Sequence, residues 1–182
     1  YKAAHSNLSN AIRLVELIES RRSVEAYISE VDGLFAEYRE LQTGFANVLT
    51  LDPGELKQLA TGAGGSAQSV FVSARITPAD FRKGADELYS RALIVKVPRG
   101  QEKIHENVIK AFVEGRLAAS SFDRMNILNT MSPVQAEELI DSAYTKLRTS
   151  NNLISQVQQQ FTAETERNRM SQGQVASLVQ SQ

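Results

Sequence analysis

The sequence predicts an all-α protein, an elongated helical bundle built on two long helices, the first and the last, with a small, mostly helical middle appendage. Two observations predict this class. Apolar residues recur at every third or fourth position along two long stretches, and three separate proline-containing signals mark helix starts. With 182 residues and 42% hydrophobic content, the chain can bury a sizeable core.

The first long helix is predicted from Leu8 to Leu49. Its apolar stripe is formed by Leu8, Ile12, Val15, Ile18, Ile28, Val31, Phe35, Tyr38, Leu41, Phe45 and Val48. At ~1.5 Å per residue such a helix spans roughly 60 Å. A compact domain of this chain length is only roughly 30–40 Å across. We therefore expect an elongated molecule.

The middle segment, residues 51–131, contains two of the three helix-start signals, and the third opens the last helix. Each signal has a capping side chain, then Pro at the first helical position, then an acid or amide at the third. The signals begin at Asp52, Thr77 and Ser132. The first two predict helices over residues 53–60 and 78–93, separated by a Gly-rich loop at 62–66. This loop lacks the Gly-Lys-Ser/Thr ending of a phosphate-binding loop, so we interpret it as a linker.

Three further features of the middle segment are predicted. A helix over Gln101–Gly115 is expected to continue, with a kink at Gly115, towards Leu128. The segment Val70–Val72 fits either a short strand or part of a small helix. Residues 94–98 are extended because the residue before proline avoids the helical region, and we expect little or no sheet.

The last helix begins at Ser132, and together with residues 1–50 it forms the predicted long-helix bundle, residues 1–50 and 132–182. Its apolar stripe contains Ile140, Tyr144, Leu147, Ile154, Val157 and Phe161. Asn151 is predicted to lie inside this seam, where a lone Asn commonly fixes the register of packed helices. Beyond Phe161 the stripe becomes polar, and a small apolar cluster returns at Val175 and Leu178.

The composition disfavours several classes of function. The net charge is −1 with well-mixed signs, so nucleic acid is not expected as the primary ligand. The longest apolar run, Leu93–Val95, is far too short for a transmembrane segment. The two histidines, His5 and His105, do not form a metal-ligand set, and the chain has no cysteine. We predict no enzyme activity, no cofactor and no metal site.

The remaining candidates are surfaces for protein partners, in a homo-oligomer or as one subunit of a larger assembly. Apolar faces of long helices supply binding energy, and polar interruptions supply specificity. The predicted partner-binding residues are Val31, Phe35, Tyr38, Phe45, Asn151, Ile154, Val157, Phe161, Val175 and Leu178.

The layout resembles the minor pilin, or pilus-tip, subunits of type IV secretion and conjugation systems. The resemblance rests on the Leu8–Leu49 helix, on Met131-Ser132-Pro133 leading into Glu138-Leu139-Ile140-Asp141, on Asn151-Asn152-Leu153-Ile154 and on Gln156–Gln160. It implies long first and last helices with a small helical appendage between them. It also implies a non-enzymatic role in pilus nucleation at the tip and in contact with the recipient cell.

From this resemblance we expect a structural subunit of an envelope-spanning secretion or conjugation apparatus, periplasmic or extracellular after removal of a signal peptide. A start at Tyr1 is expected either from such processing or from trimming of a longer chain. Two alternatives stay open: a helical bacteriophage virion protein for ejection or scaffolding, and a sensor-type bundle that binds a small ligand between its helices. The sensor would need polar residues inside the bundle, for which Asn151 and Arg22 are the candidates.

Overall fold

The computed structural model describes residues 2–61 and 74–180, with side chains described for residues 12–58 and 74–170 apart from 126 and 129. These ranges contain helices and no strand, so the all-α prediction is confirmed. The helices are α1 (Lys2–Gly44), α2 (Ala46–Leu49), α3 (Pro53–Thr61), α4 (Pro78–Ile94), α5 (Glu102–Arg124), a 3-10 helix (Met125–Thr130) and α6 (Pro133–Gln180). The Gly-rich loop at 62–66 and Val70–Val72 lie outside the described residues.

The first helix is interrupted at Phe45, which the sequence did not predict. The carbonyl oxygen of Gly44 accepts hydrogen bonds from the backbone N–H groups of Arg75 (3.0 Å) and Ile76 (3.3 Å). The N–H of Val48 instead donates to the carbonyl of Phe45 at 3.0 Å. Because the Gly44 carbonyl is used by the returning chain, α1 ends there and the short α2 follows.

The helix-start signals produce the predicted caps. Thr77 and Asp80 cap each other's backbone N–H groups at the start of α4, and Ser132 and Gln135 do the same at the start of α6. At α3 the carboxylate of Asp52 accepts from the backbone N–H two residues later at 2.8 Å. All three helices begin with Pro at the first helical position, where the missing N–H has no intrahelical partner to lose.

The predicted kink at Gly115 is wrong, because α5 runs uninterrupted from Glu102 to Arg124. Gly115 instead allows close packing. A Cβ atom at this position would lie 2.5 Å from the hydroxyl oxygen of Tyr38 and 3.1 Å from Oγ of Ser150. The glycine therefore lets α1 and α6 side chains reach the α5 backbone, and the helix ends only at the 3-10 turn after Arg124.

A single hydrophobic core joins the middle segment to both long helices. Phe45 stacks on Phe81 of α4 with ring centroids 4.9 Å apart, and Phe35 stacks on Phe112 of α5 at 5.6 Å. Helix α5 packs against both α4 and α6. The helices predicted as a middle appendage therefore supply a large part of the core that the long helices share.

The first and last helices pair with each other within the chain, in antiparallel orientation. The rings of Tyr27 and Phe161 meet edge-on at 5.7 Å. Further along, the Tyr144 hydroxyl donates to the carbonyl of Val48 at 2.7 Å. Residue numbers therefore increase along the first helix in the direction in which they decrease along α6. Helix α6 has 48 residues, so it extends over roughly 70 Å and is much longer than its neighbours α4 and α5.

Candidate interaction surface

The described part of α1 before the first core residue extends beyond α4 and α5; we call residues 12–23 the α1 arm. Every residue from 12 to 20 is exposed, and the first buried residue is Val24. Five large apolar side chains of the arm remain open to solvent: Ile12 (52% exposed), Leu14 (48%), Val15 (54%), Leu17 (45%) and Ile18 (42%). They form a contiguous apolar surface of the kind that marks interaction sites.

Helices α4 and α5 stop short of the arm. Helix α5 begins at Glu102, and its residue His105 already contacts the ring of Tyr27. Near the end of α4, Arg91 donates to both carboxylate oxygens of Glu37, which lies still further along α1. Both helices therefore cover α1 only from about Tyr27 onward.

Two apolar stripes must be distinguished on α1. The first repeats every seven residues through Leu17, Val24, Val31, Tyr38 and Phe45, and it is buried from Val24 onward. Such a repeat keeps one face turned towards the same packed neighbours along a long helix.

The second stripe, which we call the arm stripe, consists of Ile12, Val15 and Ile18. Seven residues further on, these three positions are occupied by Glu19, Arg22 and Glu25, all of which are exposed. The same helix face is thus apolar at residues 12–18 and charged at residues 19–25. The arm stripe therefore belongs to a face that the chain's own core does not cover.

Seven of the ten predicted partner-binding residues lie in the core of this chain, so the prediction that they form a partner surface is wrong. Each is at most 5% exposed, because α4, α5 and the other long helix of the same chain cover them. They are Val31, Phe35, Tyr38, Phe45, Ile154, Val157 and Phe161. The side chains of Val175 and Leu178 lie outside the described residues.

Asn151 is exposed at the edge of the seam and does not lie inside it, which corrects the prediction. Its Oδ1 accepts a hydrogen bond of 2.9 Å from Nε2 of Gln42, so it still links α6 to α1. The polar residue inside the seam is its neighbour Ser150, which is fully buried and donates to the carbonyl of Ala111 at 2.8 Å. Arg22 is also exposed, so neither polar candidate for a ligand-binding bundle lies in the interior.

Sequence reasoning missed the arm as a separate surface because it placed Ile12, Val15 and Ile18 in one stripe with the core residues. A signal was present in the chain. A stripe covered by one set of neighbours keeps its apolar character at steps of seven residues, whereas this one changes to Glu, Arg and Glu. This change from apolar to charged residues could have distinguished the two faces of α1. It does not predict where the helices that cover α1 end.

His105 lies at the junction where the α1 arm leaves the bundle. A hydrogen bond of 3.2 Å joins its Nδ1 and the hydroxyl of Tyr27, and the rings meet edge-on. Partial burial lowers the pKa of His105 and raises that of Tyr27. His105 is therefore half-buried, and its neutral form is favoured. Among the described residues, no group of three or more His, Asp or Glu side chains is placed to hold a metal ion.

Comparison with protein families, with curated proteins and with solved structures finds no match for this chain. Within the described part of the chain, no helix combines the length and apolar character needed to cross a bilayer.

Proposed function

We propose that this chain is a non-enzymatic assembly subunit that binds its partner through helix–helix contacts made by the α1 arm. The observation that carries the proposal is the exposed apolar surface formed by Ile12, Leu14, Val15, Leu17 and Ile18. Exposing this much clustered apolar surface to water is unfavourable, and covering it with a partner removes that cost.

The geometry of the arm supports an assembly role. Partner contacts on a projecting helix leave the core intact, so the fold does not have to open for binding. The body from Val24 onward holds the arm in place, since Tyr27 is wedged between His105 of α5 and Phe161 of α6. The arm is therefore a surface presented by a stable support.

For the setting we propose an envelope-spanning secretion or conjugation apparatus, with the chain as a pilus-tip or stalk component. This part of the proposal rests on the resemblance described above. Osmotic-shock fractionation of the source cell tests it: we expect the chain in the periplasmic fraction. Retention with a cytoplasmic marker would contradict the envelope setting.

The assembly role is tested by sedimentation of a gentle detergent extract from the source cell. We expect the wild-type chain to sediment in a complex much larger than 20.1 kDa. The arm-stripe variant, with Ile12, Val15 and Ile18 all changed to Ser, should sediment as the free chain. Its helicity, measured by circular dichroism after purification, should match the wild type because these residues are outside the core.

A matched control removes the same number of exposed apolar residues at scattered positions. Ile94, Ile127 and Val134 are 83%, 51% and 66% exposed and lie outside the arm. The variant with these three changed to Ser should stay in the large complex. The proposal fails if the wild type itself sediments as a free chain, or if the arm-stripe variant remains in the complex.

A further inference from the structure

We infer that the antiparallel seam between α1 and α6 resumes on the α1 arm, and that two apolar residues of α6, Val175 and Leu178, are its partners there. On the arm itself the seam residues are Leu14 and Leu17. The arm is then one half of a two-helix hairpin, and the arm stripe on its opposite face is left for the binding partner. This last step deepens the proposed function and rests on it, whereas the hairpin does not.

The helical backbone of α6 reaches the level of the arm. Tyr27 meets Phe161 across the seam, and α6 continues as a helix from there to Gln180. Because the two helices are antiparallel and rise equally per residue, each step beyond Phe161 corresponds to one step before Tyr27. Fourteen residues beyond Phe161, Val175 therefore lies level with the turn of the arm that contains Leu14.

The buried seam of α6 consists of two sets of positions that each repeat every seven residues. Their members are Ile140, Leu147, Ile154 and Phe161 in the first set, and Ala143, Ser150 and Val157 in the second. Steps of seven residues keep the same face of a helix turned towards its neighbour. The same steps lead from the first set to Val175 and from the second to Leu178, so both residues occupy seam positions.

Between the body and these positions, the burial of the described residues still follows the seam. Among residues 162–170 of α6, only Glu164 and Asn168 are partly buried, and both occupy seam positions. Among residues 12–23 of α1, only Arg21 is partly buried. Since Arg21 and Asn168 lie at the same level, we attribute their partial burial to the two helices remaining side by side.

The arm has its own seam face, which differs from the arm stripe. A step of seven residues leads from Leu17 to the buried Val24, and three such steps lead from Leu14 to the buried Phe35. Val15, at the centre of the arm stripe, is turned by roughly 160° from Leu17 around the helix axis. The arm therefore carries two apolar faces on nearly opposite sides, and α6 runs along only one of them.

The chain's own α6 is favoured over a second molecule as the occupant of the seam face. A helix that packs against nothing is only marginally stable in water, so pairing stabilises both helix ends. The body already holds α6 beside the arm at a high effective concentration, against which a separate protein would have to compete. The arm stripe has no such tethered competitor on its side of α1.

Paired cysteines test the seam directly, because the chain has no cysteine of its own. In the full chain, Val175→Cys is combined with Leu14→Cys or with Leu17→Cys to give two seam pairs. The control combines it with Val15→Cys, which lies between the other two in level but on the face of the arm stripe. Under mild oxidation of dilute protein, at least one seam pair should form an intramolecular disulfide at least about tenfold faster than the control, because a disulfide requires close, correctly oriented Cβ atoms.

Non-reducing electrophoresis and mass spectrometry distinguish the outcomes. An intramolecular disulfide gives a monomer that lacks two hydrogens and migrates faster than its reduced form. A covalent dimer from the seam pairs would mean that a second copy closes the seam. Equal rates for seam and control pairs, or no disulfide in any of them, would mean that the two helix ends are not packed through this face. Each of these last results overturns the inference.

Amide hydrogen exchange supplies a second measurement that needs no cysteine. In the wild-type chain, the amides of residues 12–20 should be protected by the pairing with α6. Changing Val175 and Leu178 to Ser should speed their exchange by at least about tenfold. Met170→Ser, at a 69% exposed position off the seam, is the control and should leave it unchanged. Unprotected wild-type amides, or equal effects of the two variants, would contradict the hairpin.

The disulfide-locked chain then tests which face binds the partner. After mild oxidation of the source-cell extract, the seam-pair chain that carries its disulfide should still sediment in the large complex, because the arm stripe remains free. Release of the locked chain would show that the partner needs the seam face, which overturns the assignment of the arm stripe to the partner.

These results separate the hairpin from the proposed function. If the seam pairs do not cross-link but the arm-stripe variant leaves the large complex, the hairpin fails and the assembly role stands. If the seam pairs cross-link but the arm-stripe variant stays in that complex, the hairpin stands and the assembly role fails.

Discussion

The α1 arm and the bundle body contain the same kinds of apolar residue on one continuous helix, yet they have opposite environments. Val15 is 54% exposed, whereas Val31, sixteen residues further along the same helix, is fully buried. The difference arises because α4 and α5 cover α1 only from about Tyr27 onward. Burial along a long helix therefore depends on how far the neighbouring helices extend, as well as on the helix's own pattern of apolar residues.

The largest expected effect contrasts one side chain from each region. Phe35→Ala in the body should lower the free energy of unfolding by about 3–5 kcal/mol, because it leaves a cavity beside Phe112. Val15→Ala in the arm should change it by less than about 0.5 kcal/mol. Urea denaturation followed by circular dichroism, at a concentration where the chain is monomeric, measures both. Similar losses for the two variants would contradict the division into arm and body.

A second test concerns how tightly the body is packed. Gly115→Ala should cost about 1–3 kcal/mol, because its methyl group would meet the Tyr38 hydroxyl. Adding Tyr38→Phe should recover part of that loss, which a double-mutant cycle would reveal as coupling. Gly33→Ala is the matched control: the added methyl group would have no neighbouring atom of the described residues within 4 Å, so it should stabilise α1 by about 0.5–1 kcal/mol. Equal effects at the two glycines would argue against close packing at Gly115.

A third, smaller effect separates two adjacent residues of α6. Ser150→Ala should cost about 1 kcal/mol, because it removes a buried hydrogen bond to the Ala111 carbonyl. Asn151→Ala should cost less than about 0.5 kcal/mol, because its hydrogen bond with Gln42 is exposed. Thermal unfolding of the two variants side by side provides the comparison. A larger loss of stability for Asn151→Ala than for Ser150→Ala would indicate that Asn151 fixes the register of the packed helices.

The smallest expected effect is a pH dependence at the junction between arm and body. Burial lowers the pKa of His105, so as the pH falls below about 6.5 the unfolded chain takes up a proton that the folded chain resists. Stability contributed by neutral His105 is therefore present above that pH and decreases below it. His105→Gln should flatten the stability profile between pH 7 and 5.5. His5→Gln, which changes the other histidine, serves as the control, and equal flattening in both variants would contradict the assignment.

The helix starts were predictable from the sequence because their causes are local. Thr77 with Asp80 and Ser132 with Gln135 form caps between residues three apart, and proline restricts the backbone of its own residue. The break at Phe45 was not predictable. It depends on the Gly44 carbonyl bonding to residues 75 and 76, which lie some thirty positions away in the chain.

The predicted partner surface was placed on residues that are buried in the core. Apolar helix faces were expected to bind a partner, yet Phe35 and Phe161 proved to be core, and five other large apolar side chains within Ile12–Ile18 are exposed. Periodicity shows that a face is apolar, but it does not identify what covers that face. The covering is a property of the lengths and positions of other helices.

The sequence by itself determined the all-α class, the capped starts of α3, α4 and α6, and the apolar stripes of the long helices, because spacing and capping act within a few residues. Only the tertiary structure decided that Gly115 receives Tyr38, that Ser150 and not Asn151 is buried, and that α1 extends beyond α4 and α5. Those outcomes depend on contacts between segments far apart in the chain, and on where each helix ends along the axis of the bundle.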